Sequence, residues 1–320
     1  MTAASGAGLQ KEQLANTLTG ILLKVASVAI FVGMSSCIKL AGDLPAGEIV
    51  FFRSFFAVIP VLAVFAWRGQ LRSALATSHP LSHIARGMVG VAAMGLSFFA
   101  LTRLPLPEAI TLNYAQPLLV VVFSVICLGE TIHIYRWSAV IVGLIGVLII
   151  SWPKLTLFST GAGFSDQEAV GVVAALVSAA VSAVAMILVR RLVRTEKSTT
   201  IVLWFSLTAS AIALLTIPFG WKQPTIEQAT LLIAAGFCGG IAQILMTEAY
   251  RHAEASTVAP FEYTSMILSI ISGYLLFADL PTIHTLIGGT IVVGAGLFIV
   301  WRERQLGIKR GAARKLTPPV

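Results

Sequence analysis

The sequence predicts an all-α integral membrane protein: ten transmembrane helices built from two inverted five-helix repeats. Three observations lead there. Of 320 residues, 57% are hydrophobic and only 11% charged, against about 25% charged in a typical soluble domain, so no soluble fold could hide this much apolar surface. The apolar residues gather into ten spans, each near the roughly 20 residues that cross a bilayer as a helix. The features of the first half recur, in order, in the second.

The spans run approximately over 17–39, 47–67, 84–102, 107–128, 136–152, 168–189, 200–219, 228–249, 257–277 and 283–301. The first follows a polar stretch, 1–16, and runs on to Lys39. That is too long for a signal-peptide core and lacks a clear cleavage site, so the span stays as a helix. Breaks between spans are short and carry Pro or Gly, as in Asp43-Leu44-Pro45, Arg103-Leu104-Pro105 and Gly220 to Pro224. The longest internal connection, Pro153 to Gln167, divides the chain. The expected organisation is an N-terminal tail (1–16), a first repeat (17–152), a linker on the outer side (153–167), a second repeat (168–301) and a basic tail (302–320).

The duplication is clearest between Ala100–Ile150 and Ala249–Val300. Ala100 aligns with Ala249, Tyr114 with Tyr263, Leu119 with Leu268 and Glu130 with Asp279; one extra residue then aligns Gly146 with Gly296. Each copy holds two apolar spans, a small residue plus an acid between them, and a Gly-rich closing helix. Five spans per copy is an odd number, so the second copy must lie inverted. Inverted repeats characterise secondary transporters, which bind their solute at the repeat interface.

Charge sets the orientation, since cytoplasmic loops collect Lys and Arg. With the N-terminus inside, the inner loops and tails hold sixteen basic residues, among them Arg68, Arg72, Arg86, Arg136, Arg190, Arg191, Arg194, Lys197, Arg251 and six in the C-terminal tail. The outer side holds four: Lys39, Arg103, Lys154 and Lys222. Both termini are therefore expected in the cytoplasm, Gly129-Glu130 inside and Ala278-Asp279 outside. The net charge of +8, which in a soluble chain would raise nucleic acid as a partner, follows from this topology. The stretch Arg190 to Lys197 is also a candidate for lipid head groups.

The first copy carries Ala100-Leu101, Leu104-Pro105-Leu106, Glu108-Ala109, Val120 to Phe123 and Gly129-Glu130, then Trp137-Ser138-Ala139 and Ile145 to Leu148. This arrangement resembles the EamA-like family of the drug/metabolite transporter superfamily, over about residues 17 to 301. The resemblance implies ten helices in two inverted repeats, a cavity between them, and transport of a small organic metabolite across the bacterial cytoplasmic membrane by alternating access without ATP. One departure stands out. The family often has proline where this chain has Met266, and the kink here comes earlier, at Pro260. That variant is similar to alphaproteobacterial and rickettsial relatives importing S-adenosylmethionine or riboflavin, whereas the best-known members export amino acids and related metabolites. Riboflavin-like uptake is the leading expectation, with the other two as alternatives.

Polar groups at membrane depth are costly and mark functional candidates. The fourth span carries Asn113, Tyr114 and Gln116 before Pro117; the ninth carries Glu262, Tyr263 and Ser265 after Pro260. Helical spacing puts Asn113 with Gln116, and Glu262 with Ser265, on one face each. The repeat alignment equates Asn113 with Glu262 and Gln116 with Ser265. These faces are read as lining one cavity, or as hydrogen-bonding glue between helices. Glu262 suits a proton carrier, a partner for a cationic solute, or an ion pair with Lys24 or Arg251. Arg53, whose approximate counterpart is Phe205, suits a solute carboxylate or phosphate, or snorkelling, or a pair with Glu48. Gln243, Thr247 and Glu248 form a further polar patch; Glu130 and Asp279 sit at equivalent corners. Phe98, Phe99, Trp137 and Trp204 are candidates for stacking a solute or for ordinary packing, and Gly87/Gly90, Gly143/Gly146 and Gly236/Gly240 for close helix approach.

Cys37, Cys127 and Cys238 all fall in apolar spans and suggest no disulfide framework. No phosphate-binding G-x4-GK-[ST] loop, HExxH or G-x-S-x-G motif occurs, so neither a cofactor nor catalysis is expected. A polytopic membrane enzyme would need catalytic groups clustered at one depth, and a channel would need a continuous polar lining. The expected partners are a small solute, lipid and protons as a coupling ion, not nucleic acid. The oligomeric state stays open, and a monomer is compatible with the pattern.

Overall fold

The computed structural model describes residues 2–128, 134–155, 167–192, 195–252 and 259–316. Among them the regular structure is helical: α1 (Thr2–Leu40), α2 (Ala46–Trp67), α3 (Pro80–Leu101), α4 (Leu106–Asn113), α5 (Ala115–Leu128), α6 (Ile134–Leu155), α7 (Gln167–Leu192), α8 (Ser198–Leu214), α9 (Ile226–His252), α10 (Thr264–Phe277) and α11 (Ile283–Leu316). The fourth span is α4 plus α5; the ninth is a 3-10 segment, Ala259–Tyr263, plus α10. Among the described residues five helices are long and apolar enough to cross a membrane by length and composition alone, including Leu18–Leu40, Ala46–Trp67 and Gln167–Val189, and four shorter apolar helices, Trp137–Trp152, Thr199–Leu214, Phe261–Phe277 and Ile283–Ile299, join them. The helix extends beyond the predicted spans at both chain ends, into Thr2 and out to Leu316. Ala, Leu, Lys and Arg in those ends are good helix formers, so a helix begun in the span propagates. Glu130 and the linker residues 156–166 lie outside the described residues.

Local chemistry explains the interruptions. Pro45 and Pro105 precede α2 and α4, and Pro80 opens α3, positions where a missing N–H costs nothing. Pro117 cannot donate to the Asn113 carbonyl, which helps end α4 just before α5 begins. Tyr114, at that break, has φ −68° and ψ −9°; its aligned partner Tyr263, at the start of α10, has φ −68° and ψ −11°. Both copies therefore break the same span at the same residue.

The packing obeys the inversion. α1 lies on α9 as α7 lies on α3; α2 lies on α9 as α8 lies on α3; α10 lies on α1 as α5 lies on α7. Three pairs, α2 with α8, α4 with α10 and α6 with α11, join equivalent spans directly. Single bonds repeat too. Ser27 of α1 donates to the Ala242 carbonyl of α9, and Ser178 of α7 to the Ala93 carbonyl of α3, both at 2.7 Å. Such hydroxyl-to-carbonyl bonds are a favourable glue between membrane helices. Glycines allow the close approach: a Cβ on Gly87 would meet Thr208 at 2.5 Å, and one on the equivalent Gly236 would meet Phe56 at 2.5 Å. Apolar side chains point outward, as lipid contact requires; Leu22, Ile267 and Leu275 are all more than 60% exposed.

The loops form two end clusters. At one end, Lys39 binds Asp279 at 2.7 Å and the Leu104 carbonyl at 2.8 Å, Lys222 reaches the Asp43 carbonyl, and Gln228 reaches that of Ala41. At the other, Arg68 pairs with Glu248 at 2.8 Å and Thr77 donates to Glu196 at 2.6 Å. The Thr77 hydroxyl holds the Glu196 carboxyl below the usual carboxylate range. Nearly all these bonds cross between repeats.

Candidate functional site

Two residues exchanged by a two-fold axis touch only where the axis passes between them. Tyr114 and Tyr263 meet that condition: their rings pack edge to face with centroids 5.2 Å apart. The centre of the molecule is thus the double break of the fourth and ninth spans. Discontinuous helices at a repeat interface free backbone groups for a bound solute, and in inverted-repeat folds that point lies near the bilayer midplane.

Asymmetry starts at the tyrosines themselves. The Tyr114 hydroxyl lies 2.5 Å from the Ser265 hydroxyl, which donates to the Glu262 carbonyl at 2.7 Å. The Tyr263 hydroxyl instead occupies the space where a side chain on Gly296 would stand. Beside them, Lys24 of α1 forms a salt bridge with Glu262. The Lys24 side chain is 1% exposed and that of Glu262 45%. One partner is sealed between helices while the other is nearly half exposed. A shallow open groove lies next to Tyr263, between α10 and α11, lined among others by Met266, Thr290 and Gly294.

The structure brings together Tyr114, Glu262, Tyr263 and Ser265 from the predicted set, and adds Lys24. Asn113 is turned away: its amide donates to the Ala109 carbonyl of its own helix at 3.0 Å. Gln116 and Gln243 are half-buried, in the first turn of α5 and in the middle of α9. Arg53 is buried at 4% exposure in a second group, its guanidinium carbon 5.9 Å from the Phe205 ring centroid. It does not pair with Glu48, whose carboxylate accepts the Lys222 N–H at 3.2 Å.

Other candidates serve the scaffold. Glu248 pairs with Arg68, and Asp279 with Lys39 and the Leu106 N–H at the start of α4. Phe98 is in the core, Phe99 carries the Arg103 guanidinium, and Trp204 stacks on His83. Cys37 and Cys238 are free thiols.

Two residues escaped the sequence reading. Lys24 figured only as a partner for Glu262, although a lysine in a span is itself the signal. Arg86 was counted with the inner loops, yet it stands in the second turn of α3, with guanidinium nitrogens buried. The span predicted over 84–102 already contains it, so its place inside a span is the signal.

Residues 18–152 and 169–301 match the EamA-like transporter family. The chain is 27% identical over 291 residues to the S-adenosylmethionine uptake transporter of Rickettsia prowazekii, covering 91% of this chain and 94% of the relative. It is 30% identical over 282 residues to the pseudopaline exporter CntI of Pseudomonas aeruginosa, covering 87% and 94%. A riboflavin transporter of Rhizobium johnstonii is 28% identical over 270 residues, covering 83% and 84%. One solved protein structure superposes with TM-score 0.63 at 21% identity, over 90% of this chain and 98% of the other, which supports the fold. With both repeats matched and the inverted packing in place, the chain belongs to the EamA-like transporter family.

Proposed function

We propose that this protein is a secondary carrier that takes up an amino-acid-derived zwitterion of the S-adenosylmethionine kind, coupled to protons, with its solute site at the Tyr114–Tyr263 break. The observation that carries the reading is the Lys24–Glu262 salt bridge with one sealed and one open partner. A cationic group on the solute competes with Lys24 for the Glu262 carboxylate, and a proton on that carboxylate releases both. A site of this kind changes its contacts with loading, as alternating access requires. The relative named for S-adenosylmethionine uptake supports an amino-acid-derived solute.

A second reading, riboflavin uptake, is favoured by the paired tyrosine rings, which offer a flat heterocycle a stacking surface, and by the rhizobial relative. Export of amino acids uses the same geometry in reverse. The charge asymmetry supports a cytoplasmic-membrane protein with both termini inside.

Uptake of labelled S-adenosylmethionine, riboflavin and a set of amino acids into proteoliposomes, with and without an inward proton gradient, tests these readings. We expect S-adenosylmethionine to accumulate with the gradient and Glu262→Gln to abolish the gradient dependence. Full proton-driven uptake by Glu262→Gln removes Glu262 as the coupling group; riboflavin accumulation alone selects the second reading.

A further inference from the structure

Two buried arginines share one aromatic ring. Arg86 of α3 stacks on Phe205 of α8 with its guanidinium carbon 3.8 Å from the ring centroid, and Arg53 of α2 approaches the same ring at 5.9 Å. Arg53 Nε and Arg86 Nε and Nη1 are buried without a hydrogen-bond acceptor among the described residues. His83, one turn before Arg86, is 1% exposed with both ring nitrogens equally unpartnered. Carboxylates that could serve are engaged elsewhere or face another way: Glu108 by Thr285, Glu196 by Thr77, Glu248 by Arg68, Glu262 by Lys24 and Asp279 by Lys39, while Glu48 of α2 accepts the Lys222 N–H through Oε2 and leaves Oε1 buried without reaching either guanidinium.

Stacking on a ring offsets part of the cost of a desolvated guanidinium, but it supplies no acceptor. An unpaired buried charge costs several kcal/mol, and two of the same sign in one cluster also repel each other. The backbone nonetheless keeps room for both. A Cβ on Gly90 would come within 2.5 Å of Arg86 Nη1, and one on Gly239 within 3.0 Å of Arg53 Nε. Gly90 and Gly239 are separated along the chain by the same interval as Tyr114 and Tyr263, so they are equivalent positions of the two repeats. Arg53 and Phe205 are themselves approximate counterparts in contact, which puts the pseudo-two-fold axis between them as it does between the tyrosines. The arginine cluster therefore lies near the pseudo-two-fold axis, as the tyrosine pair does.

Resting on the carrier reading above, we propose that Arg53 and Arg86 form a second subsite, which takes the carboxylate of the transported solute. Two planar guanidinium forks can hold one carboxylate through charge-assisted, bidentate hydrogen bonds. The solute's anionic end docks at Phe205 while its cationic end faces Glu262. Selection is then for molecules bearing both charges, and a neutral heterocycle lacks the first.

The test measures thermal melting of the full-length protein in detergent with S-adenosylmethionine, with its decarboxylated analogue, and with inorganic phosphate or citrate. The expected result is stabilisation by S-adenosylmethionine at a concentration at least tenfold lower than by the decarboxylated compound. Arg53→Gln and Arg86→Gln each erase that difference without lowering the ligand-free melting point, because each removes one of two like charges. Arg53→Lys and Arg86→Lys, which keep the charge but lose the fork, fold as the parent does and lose most of the discrimination. Equal potency of the two compounds on the unmutated protein, or discrimination that survives in the Gln variants, overturns the subsite. If neither compound stabilises but phosphate or citrate does, and the Arg53→Gln/Arg86→Gln double variant loses that response, the pair binds oxyanions and the solute assignment alone fails. No stabilisation by any of these anions overturns the proposal.

Discussion

At the scale of single residues, Lys24 and Glu262 set the energetics of the centre. A lysine sealed between helices at 1% exposure is tolerable only while its carboxylate stays close. Breaking a buried pair from one side costs about 3–5 kcal/mol, whereas replacing both members with apolar or neutral groups is often neutral or stabilising. Glu262→Gln alone should therefore lower the melting temperature in detergent, Lys24→Met alone should lower it less because Glu262 reaches open space, and the double variant should melt at least as high as the original while transporting nothing. A double variant less stable than Glu262→Gln would show that the pair holds the fold rather than the transport cycle. The charges of this centre were visible in the sequence, since an ionised group in an apolar span always stands out. Their pairing was legible as one of two choices, Lys24 or Arg251, and the packing of α1 beside the ninth span selects Lys24.

Among the elements, the end of α10 shows how a local backbone state positions a side chain. Ala278 has φ 55°, in the left-handed region, and closes the helix through the Asp279 N–H bonded to the Gly273 carbonyl at 3.0 Å. This closure points the Asp279 carboxylate at Lys39 and at the first N–H of α4, where the helix N-terminus favours a negative charge. A residue with a Cβ is strained there by roughly 1 kcal/mol relative to glycine. Ala278→Gly should thus stabilise the protein by about 0.5–1 kcal/mol, read as a higher melting temperature, with the Lys39 contact intact. An unchanged or lower midpoint would mean that the left-handed turn carries no strain. The aligned corner of the first copy has Gly129 at this position, a sequence hint of the same turn. Similar hints came from Pro117 and Pro260, which marked both broken spans. The near-equal dihedral angles of Tyr114 and Tyr263 had no signature in residue type, because the break depends on how the two half-spans pack.

For the whole molecule, the inversion is the organising fact and the end clusters are where the two repeats are tied together. Lys39 with Asp279 ties the first repeat to the second at one end, and Arg68 with Glu248 does so at the other. A carrier that opens alternately must release one set at a time. Replacing Lys39 and Asp279 with cysteine, in a protein whose own three cysteines have been changed to alanine, should let a short bis-methanethiosulfonate reagent crosslink the two positions. That crosslink should stop transport, and reductant should restore it. Full transport by the crosslinked protein would show that this end stays closed through the cycle. Composition, span count and the odd number of spans per copy were enough, from the sequence alone, to establish a membrane protein of two inverted five-helix repeats. Each of those properties is local and additive along the chain, and the bilayer leaves the helix as the way to satisfy the backbone of an apolar span. Tertiary structure decided which polar residues meet. It put Tyr114 against Tyr263, Lys24 against Glu262 and Arg53 against Phe205, bonded Asn113 back onto its own helix, and buried the guanidinium of Arg86. Those outcomes follow from the position of a two-fold axis between the repeats, which exists only once both copies have packed.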